Sequence, residues 1–148
     1  MRVNYQVAID CADPHLLAAF WSQALGWTVE DHSDRIKQLI EQGHVTEDDI
    51  ITIDGRLAFK EAAAVRDPEA KVASDGLPER GRMLFQVVPE PKTAKNRMHL
   101  DLHLGAEDRE AEVARLIGLG ATKLWDAEQG GHKWDTLADP EGNEFCVA

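Results

Sequence analysis

Three ionisable side chains alternate with leucine in the run Met98-His99-Leu100-Asp101-Leu102-His103-Leu104. On a β-strand, residues i and i+2 share a face and lie ~6.6 Å apart. His99, Asp101 and His103 therefore project together, opposite the leucines. Neighbours in such a row can pass a proton or converge on one ion, whereas the outer two, ~13 Å apart, cannot. A converging pair needs a third ligand, for which Asp10, Glu144 and Cys146 are the candidates. Cys146 reads either as a nucleophile with His99 or His103 as its base or as a small apolar filler. The ordinary reading of the whole row is a hydrogen-bonded pocket network.

Flanking elements must hold this row in place. Residues 3–11 alternate as a half-buried strand, followed by Asp13 as helix N-cap, Pro14 in the first turn, an apolar stripe with Trp21 in the core, and Gly26 as stop. Residues 27–30 start a second strand, 34–43 a short helix, and 50–53 and 57–60 two strands joined by Asp54-Gly55. Residues 67–81 read as a loop and 83–88 as a strand. The second half repeats the opening: strand 98–104, helix 107–119, strand 122–126, then a hairpin of 134–138 and 144–147 around Asp139-Pro140-Glu141-Gly142. The repeat is about 94 residues, with the first copy enlarged by an insertion at 31–49. This predicts an α+β fold of paired βαβββ modules, about 1–91 and 97–148, within one domain spanning 1–148 and forming a cupped mixed sheet around a cavity.

With the apolar face of each strand turned to its helix, the other faces carry Gln6, Ala8 and Asp10, then Leu84, Gln86 and Val88, then Glu144 and Cys146. Such mixed faces suit a ligand pocket. Trp134 is placed to stack on a planar ligand or to sit at a rim, and His15, His32, His44 and His132 read as surface residues. Lys92, Lys95 and Arg97 form either an anion clamp or a solvated loop paired with surface acids. Gly130-Gly131 is not a phosphate loop, since no P-loop lysine pattern follows it.

The 148 residues carry 27 acidic against 16 basic side chains, a net charge of −11 that repels phosphate backbones and anionic lipid. No apolar run approaches the ~20 residues of a membrane span, and the N-terminus lacks the basic and apolar regions of a secretory signal. Two cysteines are too few for a disulfide framework. The expectation is a cytoplasmic protein with a small-molecule partner and neither nucleic-acid nor membrane partners.

The paired modules, the helix Asp13-Pro14-His15-Leu16-Leu17-Ala18-Ala19-Phe20-Trp21 and the terminal Asp139-Pro140-Glu141-Gly142-Asn143-Glu144-Phe145 resemble the vicinal oxygen chelate superfamily of glyoxalase I, bleomycin-resistance proteins and extradiol dioxygenases. The stretch from Val88 to Leu102 is similar to its actinobacterial glyoxalase-like subgroup. The resemblance implies a homodimer and one metal ligand from each of four strands, which by position are Gln6, Gln86, His99 and Cys146. Gln6 and His99 match, whereas Gln86 and Cys146 stand where carboxylates are usual. The metal set is therefore expected to be degraded, with no resident cofactor, and zinc or nickel the ions it would accept. Besides an interaction module whose cavity is vestigial, with a filled, dry centre, two functions stay open. One is a lyase or isomerase acting beside a carbonyl, with His99 and Asp101 catalytic and Gln6, Ala8, Asp10, Gln86, His103, Glu144, Cys146 and Trp134 lining the pocket. The other is a metal-free binding or resistance protein that sequesters its ligand without turnover.

Overall fold

The computed structural model describes residues 3–105 and 108–148. The described chain divides into two compact units, one ending at Pro89 and the other beginning at Glu90.

The first unit contains β1 (Val7–Cys11), α1 (Pro14–Leu25), β2 (Thr28–Val29), α2 (Ser33–Glu41), β3 (Ile50–Ile53), β4 (Arg56–Phe59), β5 (Ala62–Arg66) and β6 (Arg82–Val87). The second contains β7 (Leu100–Leu102), α3 (Arg109–Leu119), β8 (Thr122–Gln129), β9 (His132–Ala138) and β10 (Glu144–Val147). Their four-stranded sheets run β1-β6-β5-β2 and β7-β10-β9-β8. In each, the first strand pairs in parallel with the last and the others pair antiparallel. The repeat read from the sequence is thus present as topology: two βαβββ units.

Local chemistry accounts for the helices. Asp13 caps α1, its Oδ1 accepting from the backbone N–H groups of His15 and Leu16 at 3.1 and 3.0 Å, with Pro14 beginning the helix. Gly26, at φ 67°, closes it in the left-handed region, where a glycine has no side chain to clash. Leu17, Ala18, Phe20 and Trp21 bury one side of α1, which packs on β5 and β6. Asp108 caps α3, whose expected start at Glu107 lies outside the described residues. Val113 and Leu116 are buried, but Ala111, Ala114 and Ile117 are exposed, so the apolar stripe of α3 is narrower than its composition implies.

Four differences from the sequence reading have physical causes. β1 starts at Val7, not Val3, because its partner β6 begins at Arg82 and pairing starts at Val7 with Met83. Val3 and Tyr5 are consequently 73% and 82% exposed. The sequence reading left β5 unassigned because Ala62-Ala63-Ala64 offers neither alternation nor bulky β-formers, yet it is a central strand. The insertion extends past residue 49: β3 and β4 form a separate two-stranded sheet, joined at Asp54-Gly55 with φ 50° and 76°. Finally, β8 and β9 are longer than expected and meet at Gly130-Gly131, which serves as their hairpin turn. Among the described residues, no helix is long and apolar enough to cross a membrane.

A nearly buried ion pair lies where β2 leaves the sheet for this insertion. Arg82 donates from Nε and Nη2 to the two oxygens of Glu30, at 2.9 and 2.8 Å, and from Nη1 to Gln6 Oε1. His32 Nε2 lies 3.2 Å from the same carboxylate, and its ring contacts Phe59 of β4. Burial pushes the Glu30 pKa up, but His32 and Arg82 outweigh it and carry it from 4.5 down to about 2. A carboxyl depressed in the folded state stabilises the fold fully above its unfolded value, and that stability is lost as pH falls from 4.5 toward 2. The shift corresponds to roughly 3 kcal/mol. Glu30→Gln is expected to flatten the acid limb of a stability–pH curve over that window, measured by urea unfolding. An unchanged limb would remove the pair from any role in acid stability.

Candidate functional site

The site is a face of the second unit's sheet. β10 buries Phe145 and Val147 on one side and β9 buries Leu137, the pair of Phe145, beside them, while α3, with Val113 and Leu116 buried, packs against the neighbouring β8. The alternate residues face the other way. Asp101 of β7 is directly paired with Cys146 of β10, Cys146 with Thr136 of β9, and Thr136 with Trp125 of β8. One row of side chains thus crosses all four strands. With Lys95, His99, His103, His132, Trp134, Glu144 and Ala148 it lines an open concavity of about 350 Å³.

Trp125 reaches this face through an irregularity. Plain alternation would put it with Lys123, yet Lys123 is paired with Leu137 and bonds the buried Asp135 at 2.6 Å on the helix side. The register shifts between Lys123 and Trp125, a bulge that turns Trp125 onto the open face. Trp134 stands one pair further along β9, stacked on His132 with ring centroids 5.9 Å apart. His132 is exposed, as expected of a surface histidine, and also lines the concavity. Period-2 reasoning reaches His132 from Trp134 once β9 extends to the Gly-Gly turn, whereas Trp125 needs the bulge; two tryptophans flanking a Gly-Gly hairpin were a visible signal.

On the floor, His99 Nδ1 lies 3.0 Å from Asp101 Oδ1, and the thiol of Cys146 lies 3.6 Å from Thr136 Oγ1. Single donor atoms of His99, Asp101 and Cys146 all fall within 4.8 Å of one another. Burial, followed by the negative charge of Asp101, pushes the Cys146 thiol above its ordinary range, so it rests as a protonated thiol.

The rim is tied by the 139–143 turn. Asp139 is buried and accepts from the N–H groups of Glu141 and Asn143 at 2.9 and 3.0 Å, and Gly142 takes φ 87°. Asn96 donates from its backbone to Glu144 at 3.0 Å and from its side chain to Asn143 at 3.0 Å. Lys92 binds Glu144 Oε1 at 3.2 Å. Burial raises the Glu144 pKa, but Asn96 and Lys92 together hold it below the usual carboxylate range. Lys92 is thus committed to an internal acid, and of the basic cluster Lys95 is the member that lines the concavity.

The structure therefore brings His99, Asp101, His103, Trp134, Glu144 and Cys146 together. The other expected site residues belong to the first unit. Ala8, Asp10 and Gln86 are exposed on its open sheet face, Asp10 paired with Gln86, and Gln6 accepts from Arg82 just before β1. The histidines His15 and His32 are half-buried rather than superficial: His15 Nε2 lies 2.8 Å from the Phe59 carbonyl.

Comparison with known proteins agrees with this architecture. The profile of a family described as a glyoxalase-like domain matches residues 6–148. No curated protein matches the chain. Solved structures with the same fold include a glyoxalase/bleomycin resistance protein/dioxygenase family enzyme from Burkholderia phytofirmans, at 16% identity and TM-score 0.57, covering 96% of this chain and 94% of that one. A bleomycin-binding protein from Streptomyces verticillus, complexed with copper(II)-bleomycin, shares 11% identity at TM-score 0.53 over 100% and 96% of the two chains. The fosfomycin resistance protein FosX from Listeria monocytogenes, complexed with manganese(II) and a dihydroxypropylphosphonic acid, shares 9% identity at TM-score 0.57 over 99% and 87%.

The thiol's environment is directly measurable. In a Cys11→Ala background, the pH midpoint for iodoacetamide alkylation of Cys146 is expected above that of free cysteine. Asp101→Asn should move it to lower pH by removing the repelling charge. A midpoint unmoved by Asp101→Asn would show that the carboxylate does not act on the thiol.

Proposed function

The chain belongs to the glyoxalase-like domain family, and we propose that it binds a small planar organic molecule on the open sheet face of its second unit. The carrying observation is the concavity of about 350 Å³, large enough for such a ligand, with Trp125, Trp134 and His132 as its aromatic lining above a polar floor. Indole faces supply contact area at low conformational cost, and His99 and Asp101 supply orienting polar contacts.

The pair His99–Asp101 also gives the site its chemistry. A carboxylate 3.0 Å from Nδ1 orients the imidazole and leaves its other nitrogen to exchange a proton with the ligand. That arrangement suits a lyase or isomerase step beside a carbonyl. The second reading, retention without turnover, is favoured by the Lys92–Glu144 pair and the protonated Cys146 thiol, which leave neither side chain a ready base. Recovery of a bound compound unchanged separates it from the first.

Naphthoate, a planar aromatic carboxylate, is expected to quench the tryptophan fluorescence saturably. Trp134→Ala should weaken its binding by about tenfold, or roughly 1.4 kcal/mol. Linear quenching, or affinity untouched by both Trp125→Ala and Trp134→Ala, would reject the site. The family resemblance also extends to assembly: Tyr5 and Met98, 82% and 90% exposed, offer apolar surface that a second copy would cover. Sedimentation is expected to show a dimer that Tyr5→Glu weakens, and a monomer at all concentrations would refute this.

A further inference from the structure

We propose that the second unit holds a zinc ion by itself, through His99, Asp101 and Cys146. The donors come from β7, the residue just before it and the adjacent β10, and not from four strands of two modules as in the set implied by family position. Asp101, absent from that positional set, is directly paired with Cys146, and His99 lies two residues earlier, just ahead of β7, lining the same concavity. Donor atoms of all three lie within 4.8 Å of one another, and His99 and Asp101 are already 3.0 Å apart.

These separations suit a small tetrahedral ion. Bonds of ~2.0–2.1 Å to nitrogen and oxygen and ~2.3 Å to sulfur put neighbouring donors about 3.3–3.5 Å apart. Closing from at most 4.8 Å to these separations asks for about an ångström of side-chain movement. The donor types choose the ion: one sulfur, one imidazole and one carboxylate favour a borderline-soft dication over magnesium or manganese, which prefer oxygen. On binding, the S–Zn bond forms as the thiol proton leaves to solvent, and the dication offsets the repulsion between Asp101 and a thiolate. Three protein donors leave a fourth position for water or a ligand oxygen, directed at the concavity.

This inference stands apart from the planar-ligand reading. Naphthoate binding measured in chelator tests that reading alone, so the two can fail separately. Here the metal-stripped full chain is titrated with cobalt(II) as a spectroscopic stand-in, and zinc affinity is then measured by competition. The expected result is one equivalent, with a thiolate-to-cobalt charge-transfer band in the near ultraviolet and the intense visible bands of tetrahedral cobalt. Cys146→Ser should abolish the charge-transfer band. His99→Ala and Asp101→Ala should each lower zinc affinity by more than the ~10–100-fold expected for a merely supporting hydrogen bond. His44→Ala should leave both readouts unchanged, and circular dichroism identifies any variant that fails to fold. Binding without the band, or unaffected by Cys146→Ser in a folded protein, would mean that other groups take the metal and would overturn the proposal.

Discussion

The parallel pairing of each unit's first strand with its last is the constraint from which the site follows. β7 and β10 are separated in sequence by α3, β8 and β9, yet their ladder sets Asp101 against Cys146 and Leu102 against Val147. The register is unforgiving because side chains alternate faces: a slip of one residue would put Phe145 and Val147 on the open side and Cys146 in the core. Burial of Phe145, Leu137 and Val147 therefore positions the thiol, carboxylate and imidazole without any of these polar groups having to find the others. The hydrophobic side of the sheet fixes the chemical side.

The Asp-Pro-Glu-Gly-Asn turn has a related role. It closes the β9–β10 hairpin, and the buried Asp139 carboxylate holds it through Glu141 and Asn143, so the pairing of Glu144 with Ala138 and of Cys146 with Thr136 is set from one end. Glu144 then anchors the preceding segment through Asn96 and Lys92. The motif is thus a device for register, and its relation to ligand binding is indirect.

Much of this was legible in the sequence, and what was not has specific causes. The alternation around Asp101 gave the row His99, Asp101, His103 and the opposite leucines, and Asp13 with Gly26, then Gly120, marked two helices of nearly equal length, although the Asp108 cap of the second was not read. Leu100 and Leu102 are only half-buried because β7 is an edge strand. The alanine-rich β5 carried no pattern, since its place is set by neighbours on both sides and not by its own side chains. The place of Trp125 was not legible because a bulge is a property of the pair, invisible in one strand. Acceptance by Gln6 from Arg82, and the Glu30–Arg82 pair beside it, were unforeseeable because the partners are separated by most of the first unit.

The two units show how one topology can be put to different uses. In the first, the open face near β2 is filled by charge that has been paired internally: Arg82 satisfies Glu30 and Gln6, with His32 completing the shell. Largely desolvated charges that are paired with one another are costly to disturb, so this network suits a structural tie for the inserted α2 and β3–β4 segment. In the second unit the corresponding face stays open, Lys92 pairs with Glu144, and Asp101, about half exposed, pairs with His99 beside a protonated thiol. An incompletely compensated carboxylate beside a neutral thiol is poorly suited to holding a fold together and well suited to receiving something from outside it. That difference in charge satisfaction, more than any difference in backbone, is why the proposed site is placed on the second unit.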